Sequence, residues 1–284
     1  MCTQVTVVIP THNSESTIAA ALQSVFNQDP ALLSAVVVVD DASRDRTVEL
    51  VHGAFRKAPP NCEVKILTND VNLGGGATRN RGIECASTEI VALLDADDEW
   101  TGNHLSASVV ALLEKQLDFV FGSPEQFSKE PKYKLGTSPL EFIFVEGGIA
   151  QTSSFVFRSR PRLRFDEKLL KHQDFDFIMN AFNQGLAIGQ LDEATTKYHD
   201  SRTVRSRVSK QRRPSSSRLF LLKWRQRMSA DARLCFLTRF HFYNRASIDL
   251  RTAGWALTRV ARSKIRPSFK LRLVNSILKA LAPR

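Results

Sequence analysis

The chain lacks any run of 18 apolar residues, the length a helix needs to cross a bilayer, so a membrane-spanning helix is not expected. Basic residues are missing from its start, where the first lysine or arginine is Arg44. Without a charged n-region, TQVTVVIPTHN reads as a strand entering a loop, and no secretory signal is expected. Cysteine is scarce: Cys2, Cys62, Cys85 and Cys235 are widely spaced and form no C-x-x-C pair. That spacing argues against a disulfide framework or a zinc site and suits a reduced, cytoplasmic protein with small core thiols. Neither a P-loop nor a G-x-G-x-x-G fingerprint occurs, and no internal repeat is visible. Acid is nearly absent from the last 84 residues, where Asp231 and Asp249 face 22 Lys and Arg. That segment carries +20 and the first 200 residues carry −9, leaving +11 overall. An acidic body with a basic tail implies two jobs in one chain.

What is present is an alternation. The runs 5–9 (VTVVI), 35–39 (AVVVV), 64–67 (VKIL) and 90–94 (IVALL) read as strands. AVVVV is β-branched without alternation, as expected for a strand buried on both faces of a parallel sheet. Between them, 16–26, 47–55 and 79–86 have helical spacing. The expectation is an α/β fold of βαβ units, Rossmann-like in its nucleotide-binding half. Further on, 119–121 and 152–158 predict strands, Glu146-Gly-Gly148 a turn and 175–182 a helix. Residues 209–218 (SKQRRPSSSR) read as a linker, followed by helices near 219–228, 230–245, 247–262 and 268–282. Three units are expected: a nucleotide-binding half (1–116), an acceptor half (117–208) and a basic helical extension (209–284).

Every strand of the first half leads into polar residues. Pro10-Thr11-His12-Asn13 follows the first, Asp40-Asp41 the second, Asn69 to Gly76 the third, and Asp95-Ala96-Asp97-Asp98-Glu99 the fourth. In open α/β sheets, ligands bind beyond the carboxyl ends of the strands. Four carboxylates in five positions repel one another unless a cation sits among them. Asp95-Ala-Asp97 offers oxygen ligands for Mg²⁺ or Mn²⁺, which also takes substrate phosphates. Helix caps and solvated turns use the same residues. Asp40 or Asp41 can accept a hydrogen bond from a base N–H or a ribose hydroxyl. Gly74-Gly75-Gly76 can bring backbone N–H groups to an anion, with Arg79 one turn away.

In order and spacing, VTVVIPTHN (5–13), VVVVDDASRDRT (36–47), NLGGGATRNRGI (72–83) and IVALLDADDEW (90–100) resemble the successive blocks of family 2 glycosyltransferases of the GT-A fold. The stretch SSFVFRSRPRLRFDEKLLKHQDFDF (153–177) resembles that family's acceptor-side block. The resemblance covers about residues 4–200. It implies an inverting transfer of a sugar from a nucleoside-diphosphate sugar, UDP-linked by preference, to a glycan or lipid-linked acceptor. It further implies that Pro10, Thr11, His12, Asn13, Asp40, Asp41, Gly75, Arg79, Asp95 and Ala96 line the donor. Asp97 would bind Mn²⁺ or Mg²⁺, with His199 as a second ligand, and Asp174 would be the catalytic base. The family usually has Glu-Asp where this chain has Gln173-Asp174. That departure leaves room for a non-catalytic nucleotide-sugar sensor or scaffold, and makes Asp176 the reserve base.

The tail stands outside the resemblance. In its last helix Phe269, Leu273, Val274, Ile277, Leu278 and Leu281 share one broad face, with Arg272 and Lys279 opposite. Such a helix can rest on an anionic membrane surface, placing the protein peripherally on the cytoplasmic face, or pack on the catalytic domain. Aromatic residues punctuate the tail, but no nucleic-acid motif frames them, so nucleic acid is not the expected partner. A nucleotidyltransferase is likewise disfavoured, because no Gly-rich loop with a basic residue follows the first strand.

Overall fold

The computed structural model describes residues 3–125, 131–198, 213–242, 250–265 and 267–281. A seven-stranded sheet forms its centre, in the order β3-β2-β1-β4-β7-β6-β8. The strands β1 (Val5–Thr11), β2 (Leu33–Asp40), β3 (Glu63–Thr68) and β4 (Ile90–Leu93) pair in parallel. β7 (Val156–Arg158) is antiparallel to both β4 and β6 (Phe119–Phe121), and β8 (Ile188–Gln190) closes the far edge beside β6. A separate ribbon joins β5 (Asp98–Trp100) to β9 (Thr196–Tyr198). One sheet thus runs across position 116, the expected boundary between the two halves.

Strand periodicity sorts β1 between two cores. Val5, Val7 and Ile9 pack with α1 (Ile18–Phe26) and α4 (His104–Glu114) on one face. Val8 joins the opposite core with Ile83 of α3 (Gly75–Glu84) and Phe177 of α6 (Gln173–Asn183). α2 (Thr47–Phe55) links β2 to β3. Helix α3 lies so close to the sheet that a Cβ on Gly82 would fall 2.3 Å from Val8 Cγ1. Only glycine allows that approach.

Several local expectations shift. Helix α3 begins at Gly75, not Arg79, so the glycines form its first turn. The segment 152–158 divides into a tight turn at Thr152–Ser154 and the short strand β7. After a short turn, α5 (Pro139–Glu141), the chain reaches the expected reversal at Gly147. The linker expected over 209–218 ends earlier: α7 (Pro214–Trp224) opens with proline in its first turn, which suits a helix start. Its Ser216 and Ser217 are buried. Residues 209–212 lie outside the described residues.

The tail helices pack on the fold. Phe220 and Trp224 of α7 and Ala232 and Phe236 of α8 (Ala230–Phe236) belong to the core that holds Phe177. So do Ala253, Ala256 and Val260 of α9 (Leu250–Arg262) and Leu273 and Ile277 of α10 (Pro267–Leu281). Of the apolar face expected on the last helix, Leu273 and Ile277 are therefore internal, and Val274 and Leu281 are partly buried against the same core. Leu271 and Leu278 remain exposed. Among the described residues, no helix is long and apolar enough to cross a membrane.

Candidate active site

The carboxyl ends of β1 and β2 meet in register, with Thr11 opposite Asp40. Asp40 is 1 % exposed, and its Oδ2 accepts the Ser43 N–H at 3.0 Å. Asp40 Oδ1 and Thr11 Oγ1 are buried without a hydrogen-bond partner. Two orphaned polar atoms on adjacent strands are costly to bury, and a ligand that hydrogen-bonds both removes the penalty. His12 closes the corner. Its Nδ1–H donates to the Asp41 carbonyl (2.7 Å), and its Nε2 accepts from Asn13 Nδ2 (3.0 Å), which sets the tautomer. Asn13 takes the left-handed conformation and bonds to Ser43 and Arg44 across the cleft. Pro10 is half-buried beneath it.

Asp41 turns away from this corner. Its carboxylate accepts Asn69 Nδ2, the Leu73 N–H and the Gly74 N–H, each at 2.8 Å. It therefore fixes the loop that launches α3. Gly74 sits at φ 88°, a conformation glycine adopts without steric cost. Gly75 and Gly76 then make space. A Cβ on Gly75 would lie 2.8 Å from Arg79 Nη1, and one on Gly76 would lie 3.1 Å from Gln173 Nε2.

Arg79 joins the two halves of the site. Nη2 donates to Asp95 Oδ1 at 2.5 Å, Nη1 donates to Gln173 Oε1 at 2.9 Å, and Nε is buried without a partner. The guanidinium also lies 5.3 Å from the Phe165 ring centre. The side chain is held on several sides, with one donor still unmatched.

Asp95, Ala96 and Asp97 occupy the turn between β4 and β5; Ala96 is buried and the two acids are half-buried. Ser153 fastens this turn. Its Oγ accepts the Asp95 N–H (3.2 Å) and donates to Asp98 Oδ2 (2.6 Å), while its carbonyl accepts Trp100 Nε1 (2.6 Å). Asp98 is thus structural, and sequence gave no sign of Ser153 beyond an unremarkable TSS. Among the described residues, no three His, Cys, Asp or Glu side chains converge into a metal cage. Two carboxylates at one turn fit a hard cation that takes its other ligands from a diphosphate. His199 lies outside the described residues.

Asp174 stands in the first turn of α6. Its carboxyl pKa is raised to about 6, chiefly by desolvation, with Asp95 adding repulsion; the Phe175 N–H and Arg79 pull the other way. A carboxylate of that basicity is a better proton acceptor than a solvated one. The preceding His172 takes φ 66°, rare for a residue with a side chain. Its carbonyl accepts the Asp176 N–H, and its Nε2 pairs with Ser217 Oγ at 2.9 Å. Burial, reinforced by Lys171 and Arg239, drops its pKa to about 3, so it stays neutral.

Asp176, the reserve base, faces the wrong way. It is 1 % exposed, and its oxygens accept Trp224 Nε1 (2.7 Å) and Lys223 Nζ (3.0 Å) from α7. Lys223 also reaches Asp166 at 2.9 Å. Asp176 docks a tail helix and has no free oxygen for an acceptor. Residues 165–167 are pinned from the other side by Asn80, which bonds the Phe165 backbone twice and Glu167 Oε1 once.

Residues 6–184 match the family model for "Glycosyl transferase family 2". The amylovoran biosynthesis glycosyltransferase AmsB of Erwinia amylovora is 29 % identical over 209 residues, which cover 68 % of each chain. The structure of Staphylococcus aureus TarS 1-349 in complex with UDP-GlcNAc aligns with a TM-score of 0.63 at 22 % identity, over 98 % of this chain and 82 % of that one. The Pyrobaculum calidifontis mannosyltransferase PcManGT in complex with GDP-Man and Mn²⁺ aligns with a TM-score of 0.63 at 19 % identity, over 96 % and 79 %. The ordered strand ends, the acid turn and the family match agree: the chain is a glycosyltransferase and belongs to glycosyl transferase family 2.

Proposed function

We propose that the chain moves a sugar from a UDP-sugar to a hydroxyl of a glycan or lipid-linked glycan, inverting the anomeric carbon, with Asp174 as general base. The carrying observation is a pairing of opposites across Arg79. On one side, buried Asp40 Oδ1 and Thr11 Oγ1 lack partners, as a nucleobase site requires. On the other, Asp174 has a pKa near 6, in the range useful for deprotonation at neutral pH. Residues 1–116 would hold the donor and 117–208 the acceptor.

In this reading the base hydrogen-bonds Asp40 and Thr11, with His12, Asn13 and Pro10 walling the corner. Asp41 serves the site indirectly, by holding the loop at Gly74. The α3 N-terminus at Gly75 and the Arg79 guanidinium face the diphosphate and balance the charge that grows on it as the bond to the sugar breaks. Asp97, with Asp95, would hold Mn²⁺ or Mg²⁺, which when bound neutralises part of the same charge. The acceptor oxygen forms its bond to the anomeric carbon opposite the leaving diphosphate, and its proton passes to Asp174. Relatives support the donor class: TarS was captured with UDP-GlcNAc and PcManGT with GDP-Man and Mn²⁺.

The test is a thermal-shift panel of nucleoside diphosphates and their sugars, with and without Mn²⁺, on wild type and Asp174→Asn. Ligands that bind only the folded state raise its melting temperature. UDP compounds should shift both proteins alike, while transfer by Asp174→Asn falls on the order of 10²–10⁴-fold. Transfer at the normal rate would remove Asp174 from the mechanism.

A further inference from the structure

Helix α9 sorts its side chains by chemistry. At about 100° per residue, Arg251, Trp255, Arg259 and Arg262 fall within an arc of about 80°. All four are exposed, and Trp255 keeps 48 % of its surface open. The roughly opposite arc is Ala253, Ala256 and Val260, all buried in the core. The helix contains no Asp or Glu.

An ordinary solvent face mixes charges of both signs and seldom carries a tryptophan. Here the indole is set among three arginines, with the Arg259 guanidinium 6.0 Å from its ring centre. Tryptophan has an apolar body and one polar N–H, which suits the boundary between headgroups and acyl chains. Arginine supplies the attraction to anionic headgroups. The surroundings have the same character. The last 84 residues carry +20. On α10, which packs against α9, Leu271 and Leu278 are 64 % and 50 % exposed. Exposed leucines gain from a lipid surface and gain nothing from a nucleic-acid backbone, so the combination selects lipid.

We propose that the outer face of α9, built from Arg251, Trp255, Arg259 and Arg262, docks on an anionic lipid surface with the indole in the headgroup layer. The face contains none of the donor or base residues, and its test stands whether or not the transfer reaction does. It also differs from the face expected on α10, where Leu273 and Ile277 are core.

The protein provides its own probe. Trp100 and Trp224 are buried, so a change in tryptophan emission on adding vesicles reports Trp255. The full chain should sediment with phosphatidylcholine vesicles containing about 30 % phosphatidylglycerol, but not with phosphatidylcholine alone. Emission should shift to the blue, and Trp255→Phe should abolish the shift. Arg259→Gln/Arg262→Gln should weaken binding roughly tenfold or more, at about 1 kcal/mol per arginine. Arg56→Gln/Lys57→Gln removes the same charge from the exposed end of α2 and should leave binding unchanged. Four results would overturn the proposal. These are an equal loss in the two double variants, sedimentation without a blue shift, a blue shift with an RNA oligonucleotide but not with vesicles, and a shift that follows protein concentration alone. The third would make the face a nucleic-acid site, and the last a contact between copies.

Discussion

Asp174 is pulled in opposite directions. Desolvation resists its ionisation, yet it must be ionised to accept a proton. With a pKa of about 6, the carboxyl is protonated and inactive below that pH and becomes competent above it. kcat/KM should therefore fall about tenfold per pH unit below pH 6 and level off above it. A profile flat from pH 7 down to pH 5 would contradict the assignment. At the other end of the site, Asp40→Asn keeps the shape of the side chain and removes its charge. UDP affinity should fall about 10- to 100-fold, the worth of a charge-assisted hydrogen bond, as read by titration calorimetry. Asp40 was legible because it ends an apolar strand and strand ends converge on one edge, whereas Asp174, in the first turn of α6, was legible only through the resemblance of its block. Gln173 was legible only as a departure from Glu. Its bond to Arg79 joins positions 94 residues apart, which no local pattern encodes.

At the level of elements, sequence and structure agree where a segment's fate is decided locally. β2, α2 and β6 follow from a β-branched run, helical spacing and the apolar triplet Phe119-Val120-Phe121. The start of α3 was misplaced because the groups that hold the preceding loop belong to Asp41, 33 residues upstream of Gly74. For the tail the sequence left two fates open, a membrane surface or the catalytic domain, for a similar reason: charge is visible in sequence, whereas a docking partner is not. Lys223 sits between Asp166 and Asp176, and Trp224 completes the joint, so α7 braces the helix that presents Asp174. Asp176→Ala should lower unfolding free energy by about 2–3 kcal/mol, since it leaves Trp224 Nε1 without an acceptor and takes one of two carboxylates from Lys223. Urea denaturation measures it. A loss below about 0.5 kcal/mol would mean that the joint is ornamental.

Over the whole molecule, burial of histidine ties stability to pH. His104 is buried against Trp100 and Thr195, and burial drops its pKa to about 3. His172 is held the same way. Between pH 6.5 and 3 the unfolded chain binds these protons and the folded chain does not, so stability is lost as pH falls. Asp174 works against them, because its raised pKa lets the folded state take a proton first below pH 6. The expected signature is thus a difference between variants. His104→Leu should remove about 1.4 kcal/mol per pH unit of acid sensitivity within that window. Equal slopes for the two proteins in urea titrations at pH 6 and pH 5 would contradict it.

The division of charge belongs to this scale too: in the proposed reading an acidic body would receive cation and diphosphate, and a basic tail would face an anionic surface. The most direct measurement is calorimetric titration of UDP with and without Mn²⁺, on wild type and Asp97→Asn. The expected result is binding that Mn²⁺ tightens in wild type, with the metal-dependent part lost in Asp97→Asn and the metal-free part retained. Binding indifferent to Mn²⁺, or equally tight in both proteins, would contradict the reading of the acid turn as the diphosphate's counter-charge.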